Sequence, residues 1–245
     1  MEINSTEALM LWLMHHLTEV AGTKAVLKGG MTLRLLDCPR HTNDLDYVFI
    51  GFKSKKDIVP IIDKVLSKLA GATRQISLHS TSIRILIQYR GLSTQIESDV
   101  ANKCKSQGLS TSSLAKPNNQ LPRVISVMSL DWALANKLAA WNERGLMRDL
   151  YDVYFLHAVL DIMPDLKVLG NRLSKITYLG KARLAQGAKK MTLKEFLSKI
   201  SHAVTHLTAS GVEAELRDYF PPEELPGLVH KIKIGVKSLI EKLQT

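Results

Sequence analysis

Two glycines and two aspartates, a short distance apart, constrain this chain more than any other feature. Ala25–Val26–Leu27 reads as a short buried strand that stops at Gly29–Gly30, a helical stretch follows over Met31–Leu36, and Leu45–Ile50 reads as a second strand entered through Asp44. A glycine pair after a strand lets the backbone approach a ligand closely and turns free N–H groups outward. The helix that follows adds its positive N-terminal end, so the turn is expected to bind phosphate. Asp44 and Asp46 alternate with Leu45, so on a strand they face one side, with Cα atoms roughly 6–7 Å apart. Carboxylates that close repel unless a cation joins them. Mg²⁺ suits the position, because it takes few carboxylates and fills its other positions with water and substrate phosphates. Either motif alone is common; strand, Gly–Gly, helix, basic loop and acidic strand in this order are not. Lys28, Arg34 and Arg40 lie around the turn as expected phosphate contacts.

A third carboxylate would complete a metal site. Ile83, Ile85, Ile87 and Tyr89 alternate with Arg84, Leu86 and Gln88, the period of a strand, and Gln95–Val100 reads as its neighbour. Glu97 is the first choice for a third ligand and Asp99, on the same face, the second. Lys55–Leu69 has helical periodicity, and Asn4 with Glu7 reads as the start of an apolar helix through Leu17. Composition then shifts. Ser106–Gln120 is rich in Ser, Gly, Asn and Pro and is expected to be a loop. From Ser129, a potential cap, helices dominate: one to Arg144, a break at Gly145, and a second over Met147–Leu160. Thr192 and Glu195 have capping-box spacing, and Lys231, Lys233, Lys237 and Lys242 line a last basic helix. The expected division is a mixed α/β domain over residues 1–105, a linker over 106–125 and a helical domain over 126–245.

Lys137, Arg144, Arg148 and Asp152 fall at steps of seven, four and four, one helical face if the break at Gly145 is mild. Lys137 there is suited to neutralise triphosphate charge, with Asp149 or Asp152 orienting it or the arginines. The competing reading is a surface ion-pair ladder of little energy. The net charge of +10 favours a polyanionic partner, and aromatics at 6% leave few platforms for stacking bases. Cys38 and Cys104 have no metal-ligand spacing and read as reduced thiols. The first residues lack a signal-peptide pattern, and the apolar run Ala8–Met14 is too short to span a bilayer, so a cytoplasmic protein without a membrane partner is expected. No G-x-x-x-x-G-K-[ST] loop and no G-x-S-x-G elbow is present, which argues against a P-loop NTPase and an α/β-hydrolase. His15–His16 reads as packing, and Trp12, Trp132 and Trp141 as mostly core.

Two blocks carry a family resemblance. Leu27-Lys-Gly-Gly-Met-Thr-Leu-Arg-Leu-Leu36 with Arg40-His-Thr-Asn-Asp-Leu-Asp46 resembles the first motif of the AbiEii/AbiGii-type nucleotidyltransferases, toxin components within the polymerase-β-like nucleotidyltransferase superfamily. Ala135–Leu156, with its Arg148-Asp-Leu-Tyr-Asp152 run, resembles the same family's C-terminal motifs. The resemblance implies a polymerase-β-like α/β domain with a mixed sheet followed by a mainly helical domain. It gives Gly29 and Gly30 to phosphate, Thr42 to the Ser/Thr before the acidic pair, and Asp44 and Asp46 to the metal. It makes Lys137 and the Arg148–Asp152 run part of the catalytic apparatus. It also implies a toxin of a toxin–antitoxin or abortive-infection system, with a cognate antitoxin. Such an enzyme would use Mg²⁺ or Mn²⁺ to transfer a nucleotide from a nucleoside triphosphate to tRNA at its 3′ end, or to another RNA. A protein or small-molecule hydroxyl as acceptor, or a non-catalytic RNA-binding module, are the rival readings. One departure stands out: Met31 occupies the place of the family's small hydroxyl residue after the Gly pair, with Thr32 next to it as a substitute.

Overall fold

A computed structural model describes residues 3–175 and 190–244. The chain divides into two compact units, residues 1–129 and 130–245.

The first unit is built on α1 (Thr6–Ala21), whose middle is apolar on every side: Leu9, Leu11, Leu13, Met14 and Leu17 are all fully buried. A helix without a polar face must be enclosed, and α1 packs against α3 (Val59–Leu66), α4 (Ser112–Ala115) and the sheet. Its N-cap is Ser5, whose Oγ accepts from the Ala8 amide; the expected Asn4 is one residue early. The sheet has seven strands: β1 (Ala25–Lys28), β2 (Asp44–Ile50), β3 (Thr73–Leu78), β4 (Ile83–Tyr89), β5 (Leu92–Ala101), β6 (Ser106–Ser110) and β7 (Val124–Met128). Their order is β3-β4-β5-β2-β1-β7-β6. The sheet is mixed, as expected: β2 runs parallel to β5 and β1 parallel to β7, and the remaining pairs are antiparallel.

The expected linker is not one. Residues 106–128 add β6 and β7 to the sheet, with α4 between them, and β7 lies directly against β1. The first unit therefore runs to Ser129 rather than 105. The polar composition of Ser106–Ser110 is that of an edge strand, whose side chains are mostly exposed and whose order comes from pairing with β7. β3, nearly all exposed, was likewise invisible to periodicity. Ser129 does not cap the next helix: its Oγ is buried without a hydrogen-bond partner, while its amide donates to the Lys105 carbonyl.

The second unit is helical: α5 (Leu130–Arg144), α6 (Met147–Tyr154), which runs on as a π-helical turn over Phe155–Val159, α7 (Leu166–Ser174), α8 (Leu193–Thr205), α9 (Ala209–Leu216) and α10 (Leu228–Gln244). Leu134, Leu138, Leu150, Val153, Leu169, Phe196, Ile200, Leu216, Ile232 and Val236 form its interior. Thr192 and Glu195 make the expected capping box. Gly235, in the middle of α10, is explained by α6: a Cβ there would fall 2.7 Å from the Tyr154 ring. Among the described residues no helix is long and apolar enough to cross a membrane.

His15 and His16 are packing residues. His16 stacks on Trp12 at 3.9 Å between ring centroids, and buried His15 meets the Thr111 hydroxyl at 2.9 Å. Burial, helped by the charge of Arg123, holds the His15 imidazole down to about 4 from its ordinary 6.5. The unfolded chain therefore takes up a proton near pH 6.5 that the folded chain refuses until about pH 4. Stability from this site is complete above pH 6.5 and is lost as pH falls through that window, by about 2–3 kcal/mol. Melting curves between pH 4 and 7 should show that loss, and His15→Gln should flatten it.

Candidate active site

In the first unit β1 ends at Lys28, and the chain turns at Gly29 with φ +76 and ψ −153, a conformation that favours glycine. A second constraint acts there. A Cβ on Gly29 would lie 2.3 Å from Asp46 Oδ2. At Gly30 the limit is purely spatial, since a Cβ would fall 2.7 Å from Arg40 Nη2 and 3.1 Å from Thr42 Oγ1. The two glycines are thus the floor on which Asp46, Arg40 and Thr42 rest. Thr42 Oγ1 donates to Asp44 Oδ1 at 2.6 Å, which fixes the first carboxylate. Asp44 and Asp46 share one face of β2, and the register sets Asp46 between Lys28 on β1 and Glu97 on β5.

That face is rich in acid. Glu97 accepts from Ser82 Oγ at 3.0 Å and from Arg84 at 3.2 Å. Lys28 reaches across β2 to Asp99 Oδ2 at 3.1 Å, while Asp99 Oδ1 is buried without a hydrogen-bond partner. Beside them, burial pushes the Cys104 thiol up to about 11; Asp99 adds to the rise and Lys28 opposes it. Among the described residues no three His, Cys, Asp or Glu side chains converge as a set of metal ligands. The paired oxygens of Asp44 and Asp46, beside a bare backbone turn, suit a hard divalent cation that keeps water and substrate in its other positions.

Two expected phosphate contacts already have protein partners. Arg34 donates to Glu7 and to the Cys38 carbonyl, both at 2.8 Å, so its guanidinium ties α2 (Gly30–Arg34) to the start of α1. Arg40 is buried against Gly30 and bonds the His41 carbonyl at 3.2 Å. Met31 lies in the hydrophobic core, and the Thr32 hydroxyl is buried with no hydrogen-bond partner. α2 has only five residues, so its macrodipole is small.

The second unit holds a buried ionic cluster. Asp149 and Asp152, three apart on α6, have fully buried side chains. Lys137 from α5 lies 2.6 Å from Asp152 and 3.6 Å from Asp149, and Arg144 grips Asp149 with two bonds of 2.6 Å. The expected continuous helical face does not exist, because Gly145 adopts φ +66 and α5 ends. The packing of α5 against α6 brings Lys137 to the carboxylates instead. Arg148 falls outside the cluster, donating to the Tyr219 hydroxyl at 3.2 Å and lying over its ring. Sequence reasoning missed a neighbouring network: Glu143, buried, is held by Arg172 at 3.0 Å, and Arg172 also reaches Asn136. No motif marks it; only the helix packing reveals it.

Gly29→Ala combines a forbidden φ with a collision at Asp46, and should cost about 1–3 kcal/mol in urea denaturation. Lys137→Met should lower stability by about 3 kcal/mol, because it strips the ammonium from the fully buried Asp152; any activity measured on that variant must be read beside its denaturation curve.

The model of the family described as nucleotidyl transferase AbiEii toxin, type IV toxin–antitoxin system, matches residues 12–225. No curated protein matches the chain. Among solved structures, the MenT4 nucleotidyltransferase toxin of Mycobacterium tuberculosis H37Rv is similar in fold, with a TM-score of 0.56 at 13% identity over 96% of this chain and 92% of that one. With a family match over most of its length, the chain is a nucleotidyltransferase of the AbiEii toxin family of type IV toxin–antitoxin systems.

Proposed function

We propose that this enzyme transfers a nucleotide from a nucleoside triphosphate to a hydroxyl of an RNA, with the tRNA 3′ end as acceptor, in a reaction that depends on Mg²⁺ or Mn²⁺. The observation that carries the reading is the seating of Asp46 on Gly29, with Thr42 holding Asp44 on the same face. Asp44 and Asp46 would hold the cation, with Glu97 the nearest candidate for a third ligand once released by Arg84. When bound, a divalent cation there supplies Lewis acidity at the α-phosphate and eases deprotonation of the attacking hydroxyl. The acceptor oxygen bonds to the α-phosphorus, the bond to the β-phosphate oxygen breaks, and pyrophosphate leaves.

The protein's own part is positioning and charge. Gly29 and Gly30 offer a close-approach backbone for phosphate, and Lys28 contributes positive charge at the end of β1. In the second unit Asp149 and Asp152 hold the ammonium of Lys137, whose side chain keeps 15% exposure, as a group able to neutralise phosphate charge. Arg144 holds Asp149 in place, a supporting role rather than a phosphate contact. The net charge of +10 favours an RNA acceptor over a neutral small molecule. The type IV family implies an antitoxin counterpart.

Incubation with each labelled triphosphate and total RNA should place label in RNA, most of it in the tRNA fraction. Labelling should stop with a chelator and fall steeply as salt rises. Asp46→Asn keeps the packing over Gly29 and should reduce labelling to background with an unchanged melting curve. Undiminished transfer by that variant would refute the assignment, and label in protein would move the acceptor to a different class.

A further inference from the structure

We propose that the groove between α8 and α10 in the helical unit binds the sugar–phosphate backbone of the acceptor RNA, and that it prefers ribose to deoxyribose. The inference rests on RNA being the acceptor. The groove encloses about 440 Å³. On α8 it is lined by Lys194, Ser198, Ser201 and His202, just past its end by His206, and on α10 by Gln244. Thr205 joins the same wall, and its carbonyl accepts from Lys233 of α10 at 3.2 Å. Lys233, Lys237 and Gln244 are spaced by four and seven residues, which puts Lys237 on the groove side of α10 between the other two.

Among the described residues the lining contains no carboxylate and no large apolar side chain. α8 and α10 together carry Lys194, Lys199, Lys231, Lys233, Lys237 and Lys242 against only Glu195 and Glu241. Glu195 is committed to its capping box with Thr192, and Glu241 lies one turn beyond Lys237 on the same side of α10, which leaves the lysines in excess. Acid would be needed for a cation and an apolar floor for a peptide helix; hydroxyls and lysines fit phosphodiesters, which take hydrogen bonds from Ser and Thr and charge from Lys.

The histidines add the sugar preference. The His202 and His206 rings lie 4.3 Å apart, and His206 Nδ1 is 2.7 Å from the His202 carbonyl. A carbonyl only accepts, so Nδ1 carries the proton. In the neutral imidazole the outward Nε2 is then an acceptor. A phosphate offers it nothing, whereas a ribose 2′-hydroxyl offers a donor, the group that separates RNA from DNA.

The test measures binding of tRNA, and of matched RNA and DNA single strands, to the full chain and its variants. Lys194→Gln with Lys237→Gln should weaken RNA binding and reduce the slope of log affinity against log salt by about 2. His206→Leu should weaken RNA roughly fivefold, the size of one hydrogen bond, and leave DNA unchanged. Triphosphate binding and helix content should match the parent in both. If the parent binds RNA and both variants bind as it does, this groove is not the contact and the acceptor assignment stands. If the parent binds no RNA, the acceptor assignment falls and this inference with it.

Discussion

The contact between Gly29 and Asp46 is the constraint on which the candidate site depends. The antiparallel register of β1 and β2 sets Lys28 opposite Asp46, so the carboxylate arrives over the first residue past the strand. Any side chain there would push it away. The same backbone economy at Gly30 admits Arg40 and Thr42, and Thr42 in turn fixes Asp44. The glycine pair therefore serves packing as much as ligand approach: it lets four polar side chains from one loop and strand crowd a turn that a larger residue would fill.

The helical unit meets the opposite problem. Two fully buried carboxylates are costly unless each finds a cation and geometry to match. α5 supplies both cations, Lys137 from its middle and Arg144 from its last turn, and the break at Gly145 brings α6 back beside them. A continuous helix would have strung these groups along one exposed face. Folding it in two turns a ladder that water would screen into a cluster held away from water.

Much of this was legible beforehand, and the failures share a cause. β4 declared itself by strict alternation, and the acidic pair by type and spacing, because both signals are local. β3 and β6 carry almost no buried face, so their order comes from neighbours that no window of sequence contains. Arg34 has the right charge near the right turn, yet Glu7, distant in sequence, claims it. The Glu143–Arg172 pair likewise exists only because α5 and α7 pack together. Residue type announces what a side chain is able to do; tertiary partners decide whether it is available to do it.

The parallel pairing of β1 with β7 joins Leu27 to Val127. β1 carries the residues that lead into the glycine turn, so it stands without one of its two neighbours until a hundred further residues have left the ribosome. Sheet closure over such a separation is slow compared with local helix formation. An incomplete chain emerging during translation has the whole acidic motif but not the finished sheet beneath it. A toxin built this way has the sheet beneath its acidic motif completed only at the end of the first unit's synthesis.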